Sequence, residues 1–406
     1  GRKRSVRESV VKYDECFKKR KGFAMPISLY SGPLNPVDEH FVDKAKLFAD
    51  EHLKPYAEHW EQTKQQPEKT LRMAVSQFAG IRIPKELGGN GSSAATIARV
   101  YEELAKIDIG FTCALAVHNV VTIAASLIEN TALRDRNLGK LMSGEAIGAF
   151  LLTEPDIGSD ATSIQTLAIE KNDKYIINGS KAWVTNGVNA DLLAVFTQTI
   201  PGSSAKGIAG FVIQPDMPGV SAKPAYNMLG NHAMGVNELI FSNCTAEAEL
   251  MVFAPGEGFK AAMHGINAAR FGVAAMCNGA LEGGLNFAVD YAKKRETFGR
   301  PIINHQGLQW QLAEVTTQLE ASRMLTYRVA EIIDSGENAT VMAAHAKKFA
   351  TRAAFEGLST AMQVMGANGL LRENPLARQM SGVRVTYYMD GTTEIQNVVI
   401  GRSLLG

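Results

Sequence analysis

The segment Asp390-Gly391-Thr392-Thr393-Glu394-Ile395-Gln396 sets one carboxylate beside a flexible residue and two hydroxyls. Such a carboxylate can work as a base, or it can simply cap a helix that begins near Thr392–Glu394. A second segment, Arg295-Glu296-Thr297-Phe298-Gly299 with Gln306 shortly after, opens on a guanidinium, a planar fork suited to phosphate. Three more stretches are rich in hydroxyls, glycines or an indole: Leu152-Thr153-Glu154-Pro155-Asp156-Ile157-Gly158-Ser159-Asp160, Lys181-Ala182-Trp183-Val184-Thr185-Asn186 and Gln363-Val364-Met365-Gly366-Ala367-Asn368-Gly369. Each also has a plain reading. Trp183 and Thr185 suit a strand core, Arg295 a surface, and the glycines a helix end. No GxGxxG follows a strand pattern, and there is no P-loop or HExxH, which weighs against nicotinamide, nucleotide and zinc chemistry. Cys16, Cys113, Cys244 and Cys277 are too scattered for a zinc site or a disulfide framework, so free thiols in a reducing compartment are expected, and no metal.

Elements of two kinds must position these residues. A chain of 406 residues can hold two or three modules, and 46% hydrophobic with 20% charged residues fits a soluble globular protein. A net charge of +1 gives no global field for nucleic acid. No apolar run reaches the roughly 18–20 residues that span a bilayer. The first 22 residues carry nine Lys or Arg against three acids and no apolar core, so they are no secretory signal. A basic tail over 1–26 without a catalytic part is expected, with the remnant of an organelle address as the alternative. Residues 27–147 read as helical, with Asn35 as N-cap, Pro36 at the first helical position, and Phe41, Ala45, Phe48 and Ala49 at helical spacing. A breaker cluster runs from Ile83-Pro84 to Gly88-Gly89-Asn90-Gly91; helix resumes from Ala94 to Lys106, and Val117–Asn130 reads as a buried helix. Over 148–254 short β-branched or aromatic runs (175–179, 192–196, 210–213, 239–241) alternate with Gly, Asn, Pro and Ser, predicting a β domain. Helices return over 255–406: Leu308, Leu312, Val315 and Leu319 mark one side of a long bundle helix, broken at Ser335-Gly336-Glu337-Asn338.

Taken together, in order and spacing, the five segments resemble the acyl-CoA dehydrogenase family across about residues 27–406. The family architecture is an α+β multidomain fold: an N-terminal α-helical domain, a middle β-barrel or sandwich, and a C-terminal four-helix bundle. It agrees with the pattern of elements. The resemblance implies FAD, bound partly across a subunit interface in a homotetramer or homodimer. A flavin ring needs hydrogen bonds along its polar edge and packing on its face. By match, Phe150, Leu152, Thr153 and Ser159 line the flavin or the thioester, with Trp183, Val184 and Thr185 beside the ring. Arg295 and Phe298 resemble the pyrophosphate contact. Gln306, Gln363, Gly366 and Gly369 resemble residues reaching the dinucleotide from a neighbouring subunit, the glycines admitting close backbone approach. Thr392 and Glu394 complete the implied cofactor set. Ser159, Asn267, Arg270 and Gly391 match the substrate side.

The implied reaction takes two hydrogens from an acyl-CoA thioester: a base removes the α-proton, and the β-hydrogen leaves as hydride to flavin N5. Most relatives carry Glu just before the Gly-Thr of the last motif, where this chain has Asp390, preceded by Tyr387-Tyr388-Met389. A smaller group places the base ahead of an Arg in a D-x-E-R-like pattern; the match here is Asn267-Ala268-Ala269-Arg270, and Ala269 cannot be a base. Asp390 is therefore the expected base. Its arm is one methylene shorter, which withdraws the carboxylate by about 1.5 Å. The family implies Asp for cyclic thioesters and nitroalkanes, so an alicyclic or unsaturated acyl group, or a shifted backbone, is expected.

Where many relatives have an Arg-Gly-Ser-like run, this chain has His232-Ala233-Met234, and Asn267 replaces a frequent Asp. These departures leave CoA and a carrier-protein phosphopantetheine both open as the thioester carrier. His232 and His305 read as a loop residue and a helix-start residue. A dehydrogenase that passes electrons to an electron-transfer flavoprotein is the leading expectation, in the cytoplasm with an organelle matrix as alternative. An oxidase of the same fold, nitroalkane-oxidase-like forms included, is the runner-up. A flavin-binding scaffold without a base is the non-enzymatic alternative.

Overall fold

The structure is a computed structural model that describes residues 36–405. The basic tail and Asn35 lie outside those residues. Helix α1 (Glu39–Phe48) begins later than the Asn35–Pro36 pattern predicts: Asp38 is the cap, its carboxylate accepting from the His40 N–H at 3.2 Å. Pro36 precedes the helix, because the Asp38 N–H is drawn instead to the Thr96 hydroxyl at 3.0 Å. Phe41, Ala45, Phe48 and Ala49 all face inward, as their spacing predicts. Five helices follow: α2 (Ala57–Thr63), α3 (Glu68–Phe78), α4 (Ala94–Ala105), α5 (Ile109–Ser126) and α6 (Thr131–Ser143). Asp108 caps α5, its Oδ1 accepting from the Phe111 N–H at 2.8 Å. Among the described helices α5 alone is long and apolar enough to cross a membrane, and most of it is buried inside the fold.

His118 ties α5 to Gly148, where the β domain begins. Its Nδ1 accepts from the Gly148 N–H at 3.0 Å while Nε2 lies 3.0 Å from the Leu141 carbonyl, a pattern that requires the proton on Nε2. Burial pushes this imidazole down to about 4, so it stays neutral.

Strands β1 (Gly148–Leu151), β2 (Leu167–Lys171), β3 (Lys174–Val184), β4 (Leu192–Gln198), β5 (Ile208–Ile213), β6 (Val220–Ala222), β7 (Asn237–Glu247) and β8 (Met251–Phe253) form one mixed sheet. Its order is β6-β7-β3-β2-β4-β5-β8, with β1 parallel to β4. The sheet curls on itself. Ile177, Leu239 and Phe241 from β3 and β7 share one core with Leu193, Val195 and Phe211 from β4 and β5, and the Tyr175 and Phe211 rings meet at 5.2 Å.

Helix α7 (Glu257–Lys294) then leads through a small hairpin, β9 (Glu296–Thr297) and β10 (Arg300–Pro301), into α8 (Gln306–Asp334), α9 (Thr340–Met365), α10 (Pro375–Thr386) and α11 (Thr393–Ser403). Leu312, Val315 and Leu319 are buried on α8, while Leu308 is only half-buried near its start. The N-terminal helices are locked to this bundle at α4. A Cβ at Gly279 or Gly283 of α7 would overlap the Glu102 or Lys106 carbonyl oxygen, so only glycine permits this approach. Beside it, buried Arg323 reaches Glu102 at 3.0 Å and also pairs with Glu282, and the Tyr327 hydroxyl donates to Glu102 at 2.9 Å.

Candidate active site

Helix α10 ends at Thr386, and the chain passes through Tyr387, Tyr388 and Met389 into two consecutive left-handed residues, Asp390 (φ +54°) and Gly391 (φ +88°). Glycine suits that conformation; an aspartate there is uncommon. Helix α11 is capped by Thr392, whose hydroxyl accepts from the Ile395 N–H at 3.4 Å, with Glu394 reaching back to the same hydroxyl. The capping role open to Asp390 is thus filled by another residue.

The turn is gripped by its carbonyls. Arg270 Nε donates to the Asp390 carbonyl at 3.0 Å, Gln396 Nε2 donates to those of Asp390 (3.2 Å) and Gly391 (2.7 Å), and Lys347 Nζ donates to Gly391 at 2.7 Å. Asn267 accepts from Arg270 Nη1 at 3.0 Å and donates to the Thr340 hydroxyl at 2.8 Å, fixing the guanidinium. Among the described residues nothing donates a hydrogen bond to the Asp390 carboxylate itself. Burial raises its pKa above the ordinary aspartate value, and the Lys347 and Arg270 cations partly oppose the rise. Next to it, Cys113 Sγ of α5 lies 3.8 Å from Met389 Sδ, and burial keeps that thiol protonated.

The opposite wall comes from the β domain. Lys181, buried in β3, donates to the Leu152 carbonyl and to Glu154, both at 2.8 Å, and the Ala182 N–H donates to the Thr153 carbonyl at 2.9 Å. Glu154 also accepts from the Gln165 and Thr166 N–H groups at 2.6 and 2.8 Å. Burial would raise its carboxyl, but Lys181 and these donors hold it below the usual range. Between Lys181 and Val184 the pairing with β7 shifts register, and Trp183 takes φ +57°. This bulge leaves the indole 60% exposed, backed by Tyr226 at 4.5 Å. Val184 points into the β core, so it can offer a ligand only its backbone. Asn186 donates to the Ala114 carbonyl at 2.9 Å and the Gly148 carbonyl at 3.1 Å. Ala114 adjoins Cys113, so one turn of α5 touches both the Asp390 wall and the Thr185–Asn186 wall. Phe150 and Leu152 pack with Ile266 of α7, next to Asn267 and Arg270.

FAD fits these walls. The hydroxyls of Thr153, Ser159 and Thr185 hydrogen-bond to no protein group among the described residues, and the exposed indole offers a flat face. The remaining sequence-predicted residues lie apart. Arg295 is exposed after α7, Phe298 sits at the hairpin tip 97% exposed with φ +52°, Gln306 opens α8, Gln363 lies in the last turn of α9, and Gly366 and Gly369 lie in the short turn after it. Among the described residues no hydrogen bond or ion pair ties these six to the Asp390 cluster. His232 lies elsewhere: its backbone N–H donates to Glu61 of α2 at 3.2 Å, and its Nδ1 comes within 2.9 Å of the same carboxylate without forming a hydrogen bond. His305 precedes the first residue of α8 without a side-chain cap bond, its Nε2 3.1 Å from the Thr297 hydroxyl.

Lys347 was not singled out from the sequence; Cys113 was named only as a free thiol, and Asn186 and Gln396 were quoted without a role. A signal existed for Lys347 alone. It falls on the buried stripe of α9 among Ala343, Ala344, Ala346 and Ala350, where a cation is out of place.

The chain matches three family descriptions in succession: "Acyl-CoA dehydrogenase, N-terminal domain" over 35–145, "middle domain" over 149–244 and "C-terminal domain" over 256–405. It is 36% identical over 361 residues to an acyl-CoA dehydrogenase of Bacillus subtilis, covering 88% of this chain and 95% of that protein. Butyryl-CoA dehydrogenase from Megasphaera elsdenii superposes with a TM-score of 0.89 at 32% identity, over 92% of this chain and 99% of the other. A chain from a structure titled as the electron transferring flavoprotein of Acidaminococcus fermentans gives 0.89 at 34% identity, again over 92% and 99%.

Proposed function

The chain belongs to the acyl-CoA dehydrogenase family, FAD-dependent oxidoreductases acting on CH–CH donors, and from that premise we propose that it desaturates an acyl-CoA thioester with Asp390 as the base. One observation carries the reading: a carboxylate to which nothing among the described residues donates a hydrogen bond, on a backbone gripped by Arg270, Lys347 and Gln396, across one turn of α5 from the wall that fits a flavin. FAD, when bound, supplies the hydride acceptor. The chain's part is to take the α-proton onto a carboxylate oxygen of Asp390. Burial makes that oxygen a stronger base than a solvated one. Thr153, Ser159 and Thr185 would hold the polar edge of the cofactor, and Trp183 its face. Arg295, Phe298, Gln306, Gln363, Gly366 and Gly369 would serve the dinucleotide across a subunit interface, in a homotetramer or homodimer, with an electron-transfer flavoprotein as acceptor.

The short Asp arm favours an acyl group whose acidic carbon sits closer, such as an alicyclic or unsaturated one. Anaerobic bleaching of the flavin band by straight, branched and cyclic acyl-CoAs tests this. Asp390→Asn should abolish bleaching and Asp390→Glu should shift the preferred substrate; full bleaching by the Asn variant would remove Asp390 as base. A carrier-protein thioester is the second reading, favoured by His232-Ala233-Met234 standing where many relatives have an Arg-Gly-Ser-like run. Bleaching by an acyl-phosphopantetheinyl carrier but not by its CoA ester would select it, and rapid peroxide formation without an acceptor would select an oxidase.

A further inference from the structure

Three helices converge on two neighbouring carbonyls. Arg270 of α7 holds that of Asp390, Lys347 of α9 holds that of Gly391, and Gln396 of α11 bridges both. Gln396 rides on the helix that the turn itself starts, so α7 and α9 supply the external reference. Lys347 is 1% exposed, and among the described residues its one hydrogen bond is to the Gly391 carbonyl, with no carboxylate in ion-pair contact. An ammonium in such a place is costly, and a methionine would fill the same slot at less cost. Burial pushes the lysine down to about 8, against the pull of Asp390. The group is kept there for its one bond, so that bond is where its function lies.

The bond acts on the freest joint of the site. Gly391 can rotate where other residues cannot, and a grip on the Asp390 carbonyl alone fixes only the peptide plane before it. Fixing the Gly391 carbonyl as well sets both planes around the glycine. We propose that Lys347 is a positioning residue: by holding the Gly391 carbonyl it locks the left-handed Asp390–Gly391 turn and so aims the shortened carboxylate arm at the α-carbon. The proposal rests on Asp390 being the base. Lys347 faces Asp390, Cys277, Arg270 and Glu394, and Asp390 faces Lys347, Arg270 and Cys113. Removing the lysine therefore also removes a cation that holds the Asp390 carboxyl down.

The test uses the FAD-loaded enzyme and the acyl-CoA that bleaches it fastest, comparing Lys347→Met, Lys347→Arg and Asp390→Asn. Lys347→Met should keep its flavin content, its acyl-CoA affinity within about twofold and an undiminished melting temperature, yet bleach about 10- to 100-fold more slowly, the scale of a 1 Å misplacement. Its acid limb should move to higher pH, and Lys347→Arg should recover most of the rate. Wild-type bleaching with an unmoved acid limb in Lys347→Met, beside an inactive Asp390→Asn, overturns the role of Lys347 alone. Parallel loss of flavin, melting temperature and rate overturns it in favour of a structural role. Wild-type bleaching by Asp390→Asn removes the base and this proposal with it. Should Lys347→Met not fold, Lys347→Gln, whose amide falls short of the carbonyl, is judged by the same outcomes.

Discussion

A carboxylate is an effective base near neutral pH only when its surroundings make its charge uncomfortable without quenching it. At Asp390 burial does the first, and the absence of any donor to its oxygens among the described residues leaves them free for a carbon acid. Flavin reduction should therefore rise with pH through a pKa above the ordinary aspartate value, measured as the acid limb of anaerobic single-turnover rates. The same shift has a stability sign. A carboxyl whose folded pKa is raised contributes stability that is present below its unfolded pKa and lost as pH rises through the folded one. Urea denaturation should show that loss between the ordinary aspartate range and the raised value, and Asp390→Asn should flatten it. Asp390 was legible from the sequence because a motif surrounds it. Its backbone grip was not, since Lys347, Arg270 and Gln396 lie on three helices distant in sequence.

Among the elements, β3 and α7 decide the site. Lys181→Met would leave Glu154 buried without its cation, which should cost about 3–5 kcal/mol and release the Leu152–Thr153 loop. Urea denaturation and flavin retention should fall together in that variant. On α7, Gly283→Ala drives a methyl into the Lys106 carbonyl and must push α4 away. An overpacking cost of about 1–3 kcal/mol is expected, read as a lower melting temperature. Strand and helix types followed from periodicity: the β-branched runs at 175–179 and 192–196 lie in β3 and β4, and Leu312, Val315 and Leu319 line the inside of α8. The bulge that turns Trp183 outward left no mark in the residues, because it arises from the register of β3 against β7, a strand distant in the chain.

For the whole molecule, Phe298, Trp310 and Leu370 stand exposed on and near the ends of the C-terminal helices, beside Arg295, Gln306 and Gln363 in the chain. Large apolar side chains left bare on one region mark an interaction surface. If the cofactor is shared across subunits there, light scattering should give a mass that is a multiple of 43.8 kDa. Phe298→Asp should then lower both that mass and the FAD retained after gel filtration, with the monomer's helical content unchanged.

The sequence alone determined the succession of helical, β and helical modules, the family, and the identity of the candidate base, since periodicity and ordered motifs are properties of neighbours along the chain. It could not determine what surrounds that base. Whether Asp390 caps a helix or stands free, whether Trp183 is core or surface, and whether Lys347 is idle or gripping a carbonyl depend on contacts between distant residues. Burial and hydrogen-bond geometry exist only once α5, α7, α9 and the curled sheet have packed together.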